Sequence, residues 1–185
     1  MDKFVIDGGR VLKGRVRISG AKNAALPMMA ASLLTTERVI LKGVPDLRDI
    51  QTMSKLLGEL GVKVHKEADR LVLQSCDEHK YIAPYELVST MRASVCVLGP
   101  LLGRRRKAKV SMPGGCVIGV RPIDLHIKGM TALGARISYE HGYIVGSSRA
   151  LRGTQIYLGG PHGSSVTGTE NVMMAAVLAK GTTII

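Results

Sequence analysis

Residues 38–64 and 108–137 run through the same succession of apolar and polar positions: a β-branched stretch, a Gly/Pro loop, an apolar period of three to four, and a closing glycine. At a spacing of 73 residues Gly61 falls on Gly134, Arg48 on Arg121 and Ile50 on Ile123. Ile50, Met53, Leu57 and Leu60 in the first copy, and Ile123, Ile127, Met130 and Leu133 in the second, recur at helical spacing. Each copy therefore predicts a helix ended by a glycine, with Asp46 available as N-cap of the first. VKVHKEADRLVLQS and ARISYEHGYIVGSS follow, two alternating runs with charged or Gly-containing centres, and each predicts a hairpin.

A further helix, apolar on nearly every face, precedes each unit: KNAALPMMAASLL (22–34) and YELVSTMRASVCVLGPLL (85–102). A third appears at TENVMMAAVLAKGTTII, with Ala175-Ala176 standing 145 residues after Ala30-Ala31, close to twice the first spacing. All-round apolar helices belong inside. The pattern predicts an α/β fold of βαβαββ units about a pseudo-threefold axis, Ala/Met-rich helices innermost and the third unit truncated at Ile185. The expectation is a fragment of a larger protein, because strands that would cover the third helix do not follow it.

Composition narrows the class. With 45% apolar and 22% charged residues the chain can bury a core, and with one Phe, five Tyr and no Trp that core rests on aliphatic residues and nine Met, which fill gaps rather than mark a cofactor site. No apolar run approaches the roughly 18 residues of a membrane span, and MDKFVIDGG lacks the form of a signal peptide, so no membrane partner and a cytoplasmic location are expected. Cys76, Cys96 and Cys116 form no CxxC and the five His are scattered, which argues against a disulfide framework and a metal site. The net charge of +12 calls for an anionic partner. Its densest cluster, GRRRKAKV (103–110), reads as a solvated turn rather than a nucleic-acid patch, since no aromatics interleave the charges.

Three segments carry candidate chemistry. SGAKNAALP sets Lys22 and Asn23 at the start of an apolar helix, where free N–H groups and the dipole attract an anion; a capping Asn beside a solvated Lys is the alternative. Arg92, inside an apolar segment, faces either an acidic side chain or a bound anion. In PGGCVIGVRPID (113–124) Gly114, Gly115 and Gly119 loosen a loop in which Arg121 follows Cys116 by five residues, close enough to lower the thiol's pKa if both face one cleft; a buried structural cysteine is the alternative. A pseudo-threefold arrangement that carried Lys22, Arg92 and Arg121 to one face would converge three cations beside a thiol.

SGAKNAALPMMAASLL, MRASVCVLGPLL, PGGCVIGVRPIDLHIKGMTALGA and GTENVMMAAVLAKGTTII closely resemble the UDP-N-acetylglucosamine 1-carboxyvinyltransferase family of enolpyruvyl transferases, over essentially the whole chain. The cysteine loop separates that family from the 3-phosphoshikimate transferases, which lack it. The resemblance implies an inside-out α/β barrel and transfer of the enolpyruvyl group of phosphoenolpyruvate to the 3'-hydroxyl of UDP-N-acetylglucosamine by addition and elimination, the first committed step of peptidoglycan precursor synthesis, with no cofactor. It implies Cys116 as general acid and fosfomycin target. Lys22, Asn23, Arg92 and Arg121 become phosphoenolpyruvate contacts, and Asn23, Arg92, Arg121, Pro122, Ile123, Asp124 and Leu125 contacts to UDP-N-acetylglucosamine.

Family members run to roughly twice this length, in two similar domains. By the resemblance residues 1–21 are an N-terminal strand segment that packs with a second domain, and residues 22–185 form an incomplete first one. The base and further arginines belong to the other half, so this chain alone is expected to turn over poorly, and its exposed apolar helices to favour self-association. Cys96 reads as packing. The competing class is a non-catalytic anion or nucleic-acid binding module drawing on the +12 charge.

Overall fold

The computed structural model describes residues 3–67, 69–113, 123–160 and 163–185, and Cys116, Arg121 and Pro122 lie outside them. In chain order the first unit comprises α1 (Lys22–Ala31) with a 3-10 turn at Ser32–Leu34, β1 (Val39–Lys42), α2 (Arg48–Glu59), β2 (Val62–Glu67) and β3 (Arg70–Ser75). The second comprises β4 (Ile82–Ala83), α3 (Tyr85–Val88), a helical run over 92–105 that includes α4 (Leu98–Pro100), β5 (Lys107–Ser111), α5 (Asp124–Ala132), β6 (Arg136–Glu140) and β7 (Tyr143–Ser147). The short strands β8 (Gly159–Gly160) and β9 (Gly163–Ser164) precede α6 (Val166–Ala176).

The internal repeat is visible in the strand registers. One sheet has the order β1-β3-β2 and a second β4-β5-β7-β6, so a strand, then the second arm of the hairpin, then its first arm recur in both, while β8 and β9 pair separately. Lys63 opposes Gln74 and Glu67 opposes Arg70 in the first hairpin. Arg136 opposes Ser147 and Glu140 opposes Tyr143 in the second, each displaced by the same 73 residues. His141 and Gly142 both take positive φ (49° and 79°), the left-handed pair that a two-residue hairpin turn needs. A third unit is begun: isolated parallel bridges join Arg152 to Lys180 and Gln155 to Ile184 across α6, as β4 runs parallel to β5.

The helices form for the reasons their sequences suggest. α2 turns Ile50, Met53, Leu56 and Leu57 inward and ends before Gly61, at φ 80°, where an added Cβ would lie too close to the Asp77 carbonyl for any side chain. Asp46 does not cap it: the N-cap is Leu47, without a side-chain bond, while Asp46 accepts from Lys66 Nζ at 3.1 Å and Gln51 Nε2 at 3.4 Å. Those bonds, before any electrostatic pull, hold the Asp46 carboxyl below its usual range.

The second apolar segment is not one helix over 85–102. α3 ends at Val88, Thr90 Oγ1 donates back to the Leu87 carbonyl at 2.8 Å, and Met91 is extended. The chain restarts as a 3-10 helix at Arg92–Val97, passes through α4 and widens to a π turn at Leu101–Arg105. A side-chain bond to the backbone closes the first turn early, and Pro100 offers no N–H to the carbonyl four residues back. Nor is GRRRKAKV simply a solvated turn. Arg104 pairs with Glu78, and half-buried Arg105 donates to the carbonyls of Leu60 (2.7 Å) and Lys80 and to Ser75 Oγ (3.1 Å), joining the two units.

α1, the 92–105 helix and α6 lie innermost, with Met29, Leu33, Leu98, Leu101, Val172 and Ala175 fully buried. Their other faces are not all covered: Met28, Met173 and Val177 are exposed. α6 approaches its neighbours at glycines; a Cβ on Gly99 would meet the Asn171 carbonyl, and one on Gly129 the Val172 side chain. Residues 3–20 are exposed, including Phe4, Ile6, Leu12 and Ile18.

Candidate functional site

Among the described residues, five helices start at the same end of the molecule. α5 and α6 run parallel, since Leu125 packs on Gly168, His126 faces both Thr167 and Asn171, and Gly129 abuts Val172. The 92–105 helix runs the same way, with Val95 and Gly99 bonded to Asn171 and Gly103 against Ala175. α1 packs against the start of that helix, and its 3-10 continuation against the π turn, so α1 is parallel too. At the start of α1, Lys22 Nζ meets Asp49 Oδ2, in the first turn of α2, at 2.6 Å. The positive dipole ends of these helices thus lie at the end where Lys22 and Arg92 stand, an arrangement that attracts anions.

Lys22 and Asp49 remain partly exposed, at 42% and 34% of their side chains. Asn23 is exposed and does not cap α1, whose N-cap Ala21 makes no side-chain bond. Pro27, inside α1, offers no N–H to the Asn23 carbonyl one turn earlier. Arg92 opens the 3-10 stretch, half-buried, and its charge reaches both Cys96 and His126. Asp124 stands exposed in the first turn of α5. Ile123 and Leu125, expected as nucleotide-sugar contacts, have buried side chains. The structure therefore brings Lys22, Asn23, Arg92 and Asp124 to one end.

The remaining cysteines differ. Cys76 is exposed, and Cys96 is buried with its thiol pushed up to about 12, by burial first and then by the Glu170 carboxylate, against a smaller opposite pull from Arg92. That environment keeps Cys96 protonated and inert. Burial also raises the pKa of the Glu170 carboxyl, whose Oε2 has no hydrogen-bond partner among the described residues.

Beneath this end lies a polar cluster that the sequence reading did not single out. His126 and Asn171 are fully buried and 3.0 Å apart, and His126 Nε2 lies 3.5 Å from Thr167 Oγ1. Burial, then Arg92, lower the pKa of His126 to about 4, against an opposing pull from Asp124. A signal was present: RPIDLHIKGM and TENVMMAA each place one polar residue on the face an apolar helix buries. A separate cavity of about 480 Å³ opens between α2 and β2–β3, lined by Val44, Ile50, Ser54, Val62 and Leu71, and no candidate residue lines it. Among the described residues no group of His, Cys, Asp or Glu could hold a metal ion, and no helix is long and apolar enough to cross a membrane.

The chain is 54% identical, over all 185 residues, to a UDP-N-acetylglucosamine 1-carboxyvinyltransferase of Methylacidiphilum infernorum (isolate V4), and spans 44% of that protein's length. Among solved structures it resembles the enolpyruvyl transferase NikO from Streptomyces tendae, with a TM-score of 0.77 at 20% identity, covering 95% of this chain and 41% of that one. It also resembles EPSP synthase from Acinetobacter baumannii, with a TM-score of 0.69 at 14% identity, covering 91% and 39%. These structures establish the inside-out α/β fold. Because the family model for EPSP synthase (3-phosphoshikimate 1-carboxyvinyltransferase) matches residues 6–185, almost the whole chain and all of the repeat architecture described above, the chain belongs to that family.

Proposed function

We propose that this chain carries part of an enolpyruvyl transferase that joins phosphoenolpyruvate to the 3'-hydroxyl of UDP-N-acetylglucosamine and releases phosphate, a cytoplasmic step toward cell-wall precursors. The observation that carries this is the gathering of five helix starts around Lys22 and Arg92, in a chain 54% identical to a protein named for that reaction. In the addition step the sugar oxygen attacks C2 of phosphoenolpyruvate, losing its proton to a base, while a proton goes to C3. In the elimination step C3 gives up a proton, the C2–O bond to phosphate breaks and the double bond re-forms.

The groups of this chain fit the anionic side of that chemistry. Lys22, Arg92 and Arg121 would hold phosphate and carboxylate, and Asn23 would set the two substrates against each other. Arg121, Pro122, Ile123, Asp124 and Leu125 would hold the nucleotide at the start of α5, and Cys116 would supply the proton to C3. Residues 3–20 are exposed and alternate basic side chains with large apolar ones such as Phe4, Ile6, Leu12 and Ile18, which suit packing against a further domain of the kind the longer relatives have room for.

Two measurements test this. Calorimetric titration should show UDP-N-acetylglucosamine binding in preference to an oligonucleotide; an oligonucleotide that binds better, with affinity falling steeply in salt, would favour a nucleic-acid module. Peptide mapping after epoxide treatment should find Cys116 alkylated ahead of Cys76 and Cys96. Equal labelling of all three would remove Cys116 as a tuned acid.

A further inference from the structure

Asn171, on α6, makes hydrogen bonds that packing alone does not require. Its Oδ1 accepts the Gly99 amide at 2.7 Å, its Nδ2 donates to the Val95 carbonyl at 3.0 Å, and that Nδ2 lies 3.0 Å from Nδ1 of His126. The two backbone partners have no freedom, because an amide N–H donates and a carbonyl accepts. They fix the side-chain amide in one orientation. Its NH2 group therefore faces the imidazole, and Nδ1 must present a lone pair. The ring proton then sits on Nε2, directed at Thr167 Oγ1.

We propose that Asn171 is a positioning residue: it holds His126 neutral with its proton on Nε2 and ties the 92–105 helix, α5 and α6 into one spacing at the end where Lys22 and Arg92 stand. The three tied elements are those that carry Arg92, the Asp124 turn and the start of α6. A proton on Nδ1 would set two donors face to face, so protonating the ring means breaking the tie to α6. The surrounding charges act in the same sense overall: Arg92, on the 92–105 helix, disfavours the imidazolium and outweighs Asp124 on α5, while on α6 Glu170 stands beside Cys96. The proposal rests on the assigned function in one respect, that this end is where ligand binds.

The test is the protonation state of the His126 ring, read from long-range proton–nitrogen spectra of the nitrogen-15-labelled chain at neutral pH and assigned with His126→Gln. The wild type should show Nδ1 bare and Nε2 protonated. Asn171→Asp, nearly the same shape, still accepts from Gly99 but has no donor for the ring. It should move the proton to Nδ1 and raise the ring's pKa, and UDP-N-acetylglucosamine affinity should fall about tenfold or more. A wild-type ring protonated on Nδ1 overturns the proposal whether or not the variant folds. So does an unchanged ring in Asn171→Asp, or a changed ring with full affinity. A wild-type chain with the expected ring state that ignores the nucleotide sugar would retain the tautomer lock and refute the assigned function instead.

Discussion

Substituting alanine at two glycines, Gly99 and Gly58, should have opposite effects on stability. Gly99 lies buried in α4, and an added Cβ would stand 2.5 Å from Asn171 Oδ1 and 3.0 Å from the Asn171 carbonyl carbon, closer still to its oxygen. A carbon and a carbonyl oxygen ordinarily stay about 3.3–3.6 Å apart, so α6 would have to retreat. No rotamer relieves this, because two of the atoms are backbone and the third is held by the Gly99 amide. Overpacking costs about 1–3 kcal/mol, and leaving the Gly99 and Asn171 groups unpaired about 1–3 more. Better helix propensity returns at most about 1 kcal/mol. The net loss should be about 1–5 kcal/mol. Gly58 is exposed within α2 and has nothing near an added Cβ, so Gly58→Ala should gain about 0.5–1 kcal/mol. Urea unfolding followed by far-ultraviolet circular dichroism reads both: with slopes of about 1–3 kcal/mol/M, Gly99→Ala should lose about 1–2 M in midpoint. A Gly99→Ala protein as stable as wild type, or midpoints that move in the same direction, would refute the close approach of α6.

Two other outcomes are expected. Arg105→Lys should lower Tm by roughly 5 °C, since a single ammonium cannot span the Leu60 and Lys80 carbonyls and Ser75 Oγ that the guanidinium joins; thermal melts equal to wild type would rule out that role. His126, its folded pKa depressed to about 4, contributes stability that is whole above the ordinary histidine range and is lost as pH falls through 6.5 toward 4, on the order of 3 kcal/mol. Denaturation across that window should lose this slope in His126→Gln, and a slope that survives would place its origin in other groups.

What could be read from the sequence was what repeats or alternates locally. The hairpins and the glycine stops follow from periodicity within about a dozen residues, the 73-residue spacing from the recurrence of those local patterns, and each appears in the structure. Where local signals compete, the pattern misled: the apolar period over 85–102 continues across Ser89–Met91, yet the backbone breaks there, and Asp46 has the chemistry of a cap but finds Lys66 instead. For the site, Lys22 and Asn23 were conspicuous as polar residues heading an apolar segment, and Arg92 as a charge inside one.

Tertiary structure alone decided that five helices begin at one end, and that Asn171 bonds to partners 45, 72 and 76 residues away. Such bonds leave no trace in local periodicity, because a buried amide is stable wherever the fold supplies a donor and an acceptor. Sequence dictated which segments would be helices and strands, through the burial of one face. Which polar atoms those faces would carry to one another was set when the units packed.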